Sequence, residues 1–230
     1  YLDENTYKKY NDLVFVSKDN LDKFNETYKK SKITEQHKKV IYNYIDSKRI
    51  IEKSQEKIET NFEKNVINFV SVARLVKQKG IDRLIKIHSK LIKSGYKHNI
   101  YIIGDGPEKG NLEELIKQEK VEKTFCLLGQ KENPYPYIKN ADYFCLLSRY
   151  EGYGMVLEEA KILNKKIVIT NTAAREAVQN YDNKWILENT NEGIYRGLIE
   201  IINKKTKDMN SENEKIEKKY DNSEIIEKVK

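Results

Sequence analysis

The stretch Tyr143-Phe-Cys-Leu-Leu-Ser-Arg-Tyr-Glu-Gly-Tyr-Gly-Met-Val-Leu-Glu-Glu-Ala160 runs from an apolar segment, through a glycine-punctuated turn, into a helical pattern. Residues 143–147 show no polar alternation, which predicts a strand covered on both faces. Beyond the turn, Val156, Leu157, Ala160 and Leu163 recur at helical spacing. Gly152 and Gly154 free the backbone to reverse sharply and let a ligand come close. The helix directs its unpaired N–H groups and its positive dipole end into that turn, a setting that attracts phosphate or carboxylate. Glu151 and Glu159 flank the place, eight positions apart. Beside a bare phosphate two carboxylates are a poor choice. Beside a ligand that also carries hydroxyls they are strong acceptors.

Outward from this stretch the same alternation repeats. Strands are predicted at 66–73, 99–104, 124–128, 142–148, 166–170 and 184–187. Between and after them, helices are predicted at 81–93, 108–120, 155–163 and 191–204, with short helical turns at 137–140 and 173–179. Strands too continuously apolar to be half-exposed, alternating with helices, give an α/β fold: a Rossmann-like parallel sheet with helices on both faces. Ligands of such sheets gather at the carboxyl ends of the strands. Arg74, Gly104, Gly129 and Ser148 all lie just past predicted strand ends.

The first 65 residues are organised differently. A strand at 12–17, a helix near 21–28 and a strand at 39–43 precede a Lys/Glu-rich segment, 47–65, expected to be a solvated and partly helical connector. The chain therefore divides into 1–46, the connector 47–65, an α/β unit at 66–204, and a polar tail, 205–230, whose last residues 222–230 read as a capped helix.

Composition bounds the function. Charged residues are 34% of the 230 and the net charge is +7; mean hydropathy is −0.79. The lysines are spread along the chain rather than clustered, so a generally basic surface is expected and nucleic acid is not an expected partner. Cys126 and Cys145 sit inside apolar runs and read as buried reduced thiols. There is no Cys-x-x-Cys, no Asp-x-Asp and no His-rich cluster, so no metal is expected. No apolar run approaches a membrane span and no signal peptide is visible. The expected location is cytoplasmic, with peripheral association at the inner membrane face left open.

Five segments carry a family resemblance: Val70-Ser-Val-Ala-Arg-Leu-Val-Lys-Gln-Lys-Gly80, Ile103-Gly-Asp-Gly-Pro107, Leu128-Gly-Gln130, Asn133-Pro-Tyr-Pro-Tyr137 and the Glu151–Glu159 pair. Their order and spacing resemble the donor-binding domain of the retaining nucleotide-sugar glycosyltransferases of family four, with their E-x7-E motif and two-domain GT-B fold. The resemblance covers about residues 66–204. It implies that 66–204 is the carboxy-terminal, donor-binding half of a GT-B fold and that 1–46 is a remnant of the amino-terminal acceptor domain. It implies a donor that is a UDP-sugar or GDP-sugar, a glycan or lipid-linked acceptor, no cofactor and no metal. Surface polysaccharide synthesis is the expected setting.

Site residues follow from that resemblance together with the local chemistry. Arg74 offers a planar fork and Lys79 a mobile point charge, both suited to the donor diphosphate. The backbone N–H groups of Gly154, Met155, Val156 and Leu157 are expected to cap the phosphate, with Gly152 and Tyr153 also at the donor site. Glu159 is expected on the ribose hydroxyls and Glu151 near the transferred sugar. Glu158, about 100° round the helix from Glu159, is expected to face solvent. Gln130 and Lys131 are candidates for the base. The Gly104-Asp105-Gly106-Pro107 segment reads as a turn opening a Pro-led helix, with a place near the donor left open. His88 reads as packed rather than catalytic. Two other functions stand beside the transferase: another GT-B-type enzyme such as a nucleotide-sugar epimerase, and a donor-binding fragment without activity of its own.

Overall fold

The computed structural model describes residues 4–30, 37–60, 62–63 and 66–208. The amino-terminal unit comprises α1 (Glu4–Tyr7), β1 (Asp12–Phe15), α2 (Lys18–Thr27) and β2 (His37–Val40), followed by α3 (Ser47–Lys53). The larger unit contains β3 (Ile67–Val72), α4 (Ile81–Lys93), β4 (His98–Ile103), α5 (Lys109–Glu119), β5 (Phe125–Leu127) and α6 (Tyr135–Asn140). It continues with β6 (Tyr143–Leu146), α7 (Met155–Ile162), β7 (Lys166–Thr170), β8 (Lys184–Leu187) and α8 (Asn191–Asp208). Two 3-10 helices, Lys77–Lys79 and Ala173–Val178, complete it.

Six strands form one sheet in the order β5-β4-β3-β6-β7-β8, every neighbouring pair parallel. Alternate residues of each strand enter opposite cores, as a period of two requires. Phe69, Tyr143, Cys145 and Val168 join α4, α5 and α8 on one face. Val70, Phe144, Leu146, Ile167 and Ile169 join α6, α7 and the 173–178 helix on the other. This two-sided burial is why the strands read as continuous apolar runs. The chain leaves β3 toward β4 and β5, then crosses back to β6, so the strand order reverses between β3 and β6. Such a switch point opens a crevice at the carboxyl ends of the strands.

Two elements differ from the sequence expectation for identifiable reasons. The short helix α6 begins at Tyr135, because Pro134 and Pro136 suit a helix start, where their missing N–H groups have no intrahelical partner to lose. Residues 173–178 form a 3-10 helix rather than an α-helix. The described residues of the connector, 47–60 and 62–63, are partly helical and mostly exposed, with a few points of attachment. Ile45 and Ile50 are buried against Ile162, and Asn133 donates to the Lys53 carbonyl (2.9 Å) and to Glu56 (2.8 Å). The helix expected at 222–230 lies outside the described residues. His88 is fully buried, as expected. Cys145 is buried and Cys126 half-buried, both as free thiols.

Candidate functional site

A cleft of about 740 Å³ opens at the switch point. Val72, Ala73, Arg74 and Lys79 line it from the β3–α4 side, and Ile103, Gly104 and Asp105 from the end of β4. Gln130 and Lys131 line it after β5; Leu146, Glu151, Gly154, Met155 and Val156 line it from the β6–α7 side. Eight of the sequence-derived site residues thus meet in one cavity: Arg74, Lys79, Gln130, Lys131, Glu151, Gly154, Met155 and Val156. Gly152, Tyr153, Leu157 and Glu159 are not among the lining residues.

The β3–α4 loop is set by its neighbour. Leu75 N–H donates to Asp105 O (2.9 Å), and Glu108 N–H donates back to Leu75 O (3.1 Å). Gly104 has φ +146°, and a Cβ there would collide with the carbonyl oxygen of Ala73. The glycines of the 104–107 turn therefore serve loop-to-loop contact beneath Arg74. Arg74 itself is exposed at the cleft, and its guanidinium has no carboxylate partner among the described residues.

Across the cleft, the 148–151 loop is strapped to the Lys77–Lys79 helix. Arg149 N–H donates to Gln78 O (2.8 Å), and the Gln78 side-chain amide donates to Tyr150 O (3.1 Å). The Arg149 guanidinium grips both oxygens of Asp82 at 2.7 Å, which holds that carboxyl below its ordinary range. Buried Arg83 donates to Leu147 O and to Asn189 Oδ1, both at 2.8 Å; Asn189 Nδ2 donates to Arg149 O (2.6 Å). Sequence reading missed this clamp, because Asp82, Arg83 and Asn189 look like ordinary helix-end polar residues.

The clamp brings Lys79 and Glu151 together. Lys79 Nζ lies 2.5 Å from Glu151 Oε2, with side chains only 18% and 10% exposed. The same oxygen accepts from Ser148 Oγ at 3.0 Å. Ser148 is itself held in place: it is fully buried, and its carbonyl accepts from Thr170 Oγ1 at 2.6 Å. Gly154 caps α7 with φ +73°. Leu157 N–H already donates to Gly154 O (2.8 Å), whereas Met155 and Val156, which line the cleft, carry amides with no intrahelical acceptor.

Glu159 is half-buried on the next turn of α7. Burial pushes its carboxyl above the ordinary range, and no donor among the described residues bonds to it. Glu158 contradicts the expectation of a solvent-facing residue: it is 3% exposed. Tyr153 Oη donates to Glu158 Oε1 (2.7 Å) and Lys161 pairs with Oε2 (2.7 Å). The 173–178 helix packs against α7, and no residue of α7 is exposed.

All of these cleft residues lie inside the segment that sequence comparison matches to a known family. The chain matches the glycosyl transferases group 1 family over residues 51–220. It belongs to the group 1 glycosyltransferases. One relative is the Campylobacter jejuni N-acetylgalactosamine-N,N'-diacetylbacillosaminyl-diphospho-undecaprenol 4-alpha-N-acetylgalactosaminyltransferase. It is 31% identical over 80% of this chain and 47% of its own length. The Staphylococcus aureus capsular polysaccharide biosynthesis glycosyltransferase CapM is 28% identical over 70% of this chain and 40% of its own. A variant of S. aureus TarM, solved with fondaparinux, alpha-GlcNAc-glycerol and UDP, superposes with a TM-score of 0.72 at 18% identity. That match covers 97% of this chain and 44% of TarM, and it shows a shared fold. The fold is that of GT-B glycosyltransferases. The chain spans less than half the length of the curated relatives it matches. Among the described residues no helix is long and apolar enough to cross a membrane.

Proposed function

We propose that this group 1 glycosyltransferase chain is the donor-binding half of a retaining, metal-independent enzyme of family four. Its donor is a UDP-sugar or GDP-sugar, and its acceptor a glycan or lipid-linked sugar in surface polysaccharide synthesis. The observation that carries the reading is the convergence of Arg74, Lys79, Glu151 and the start of α7 on one cleft. Relatives named for capsular polysaccharide and diphospho-undecaprenol substrates support the setting. The UDP in the similar TarM structure supports the donor class.

In the reaction the bond between the sugar C1 and the diphosphate oxygen breaks and its electrons leave with the nucleoside diphosphate, while an acceptor hydroxyl oxygen bonds to C1 and its proton passes to the departing diphosphate. Fixed positive groups aimed at that oxygen stabilise the departing charge without reorganising. Arg74 supplies a two-pronged contact, Lys79 a point charge, and the Met155 and Val156 amides the oriented dipoles. Glu159, whose carboxylate is held by no donor among the described residues, accepts the ribose hydroxyls. Glu151 accepts from a hydroxyl of the transferred sugar. Turnover is assigned to the protein that also carries an acceptor-binding half; the property assigned to this chain is donor binding.

A thermal-shift panel of UDP, GDP, ADP and CDP, with and without magnesium, tests the reading. Ligand at about 100 times its Kd adds about 2.7 kcal/mol, or roughly 5–10 °C for a domain of this size. UDP or GDP is expected to give that shift, unchanged by magnesium. Equal, negligible shifts for all four nucleotides overturn the proposal, and a shift that requires magnesium overturns its metal-independent part.

A further inference from the structure

Tyr153 stands between the two glycines of the turn that presents α7 to the cleft, yet its side chain does not line the cleft. Its hydroxyl reaches back to Glu158, five residues on. Glu158 is a buried carboxylate whose other oxygen pairs with Lys161, and Lys161 also donates to Ala177 O at 2.8 Å. The ring of Tyr153 lies against that of Tyr42, with centroids 5.2 Å apart. Tyr42 follows β2 in the amino-terminal unit, and its hydroxyl donates to Glu176 Oε1 (2.8 Å). Burial and the neighbouring Glu176 carboxylate push the Tyr42 phenol up to about 12, so it stays a donor. Glu176 in turn accepts the backbone amides of Lys18 (2.7 Å) and Asp19 (2.8 Å). Those are the first two residues of α2, whose positive dipole end a carboxylate stabilises.

A continuous set of contacts thus joins the glycine turn at the cleft to the start of α2 in the other unit. A turn with glycine on both sides has little conformational preference of its own. Between the two glycines, the Tyr153 side chain is the anchored group, held by Glu158 and Tyr42. We propose that Tyr153, braced by Glu158 and Tyr42, is a positioning residue for the anion cradle, and that it couples occupancy of the cleft to the seating of α2 on Glu176. This rests on the donor-binding reading of the cleft. Coupling of this kind is reciprocal: whatever orders the turn tightens the α2 contact, and a well-seated α2 tightens the ligand.

Three chains decide it: the wild type, Tyr153→Phe and Tyr42→Phe. Each is titrated calorimetrically with UDP and with inorganic pyrophosphate and melted without ligand; amide exchange at Lys18 and Asp19 is followed by NMR with and without saturating UDP. In the wild type, UDP is expected to slow exchange at both amides at least threefold. Tyr153→Phe is expected to weaken UDP and pyrophosphate alike, about five- to twentyfold, and to abolish the slowing, while its melting temperature falls by only a few degrees. Tyr42→Phe, outside the cleft, is expected to weaken both ligands by a smaller factor and also to abolish the slowing. A lowered melting temperature with Kd unchanged within twofold in both variants identifies a merely structural role and overturns the proposal. So does wild-type exchange at Lys18 and Asp19 that ignores bound UDP. A wild-type chain that binds neither ligand instead overturns the reading of the cleft, and the positioning role falls with it.

Discussion

One carboxylate oxygen of Glu151 receives both the Lys79 ammonium and the Ser148 hydroxyl. In the proposed reaction the same lysine must serve the donor diphosphate, so the phosphate and Glu151 compete for it. Glu151→Gln removes the competing charge and keeps the side chain's shape. Inorganic pyrophosphate is expected to bind that variant about three- to tenfold more tightly than wild type, roughly the worth of a partly exposed ion pair. Calorimetry reads the change directly, and weaker binding would contradict the pairing. Glu159 behaves differently, because its proposed partner is the ribose. Glu159→Ala is expected to cost UDP about ten- to a hundredfold in affinity, the range of hydrogen bonds to a charged group. Pyrophosphate, which has no ribose, is expected to be unaffected. Equal losses for the two ligands would remove Glu159 from the ribose and leave it a structural support of the helix start.

At the scale of elements, loop contacts rather than helices decide where the cations stand. Gly104 lies against the Ala73 carbonyl with φ +146°, directly beneath Arg74. Gly104→Ala is expected to destabilise the fold by about 3 kcal/mol through overpacking and backbone strain. That corresponds to a melting temperature lower by roughly 6–12 °C, measurable by circular dichroism. Most of the sheet was legible in the sequence, because strands buried on both faces leave unbroken apolar runs such as residues 143–147. The turn at 152–154 was legible for a related reason, since glycine is needed where Gly154 takes φ +73°. Glu158 was not. Its burial depends on Tyr42 and on residues 173–178, which are distant in sequence and leave no periodic trace on α7. The Arg83–Asn189–Arg149–Asp82 clamp was hidden in the same way, because each member looks like a solvated polar residue until the fold brings them together.

For the whole molecule, one buried network sets a pH limit. His98 Nδ1–H donates to Tyr96 O (3.1 Å), so its Nε2 accepts from His88 Nδ1–H at 2.8 Å. His88 Nε2 is left to accept from the Thr124 hydroxyl, also at 2.8 Å. Burial holds both imidazoles neutral, at about 3 for His88 and about 4 for His98, against an ordinary value of 6.5. Above pH 6.5 the contribution to stability is fully present. As pH falls toward 4 and then 3, the unfolded chain binds protons that the folded one refuses, and stability is lost. Urea unfolding is expected to show about 2–4 kcal/mol less stability at pH 5 than at pH 7.5. NMR of the two rings is expected to show no titration in that range, and a ring that titrates near 6.5 would contradict the network.

In the proposed reading a diphosphate sits between Arg74 and Lys79 at the β3–β6 switch point. Calorimetric titration of UDP and of GDP into the wild-type chain and an Arg74→Ala/Lys79→Ala double variant tests this most directly. At least one nucleotide is expected to bind the wild type with one-to-one stoichiometry. The double variant is expected to lose about a hundredfold or more in affinity, two charge-assisted contacts' worth, while its melting temperature stays within a few degrees of wild type. Binding of the same nucleotide to both chains within threefold would contradict it.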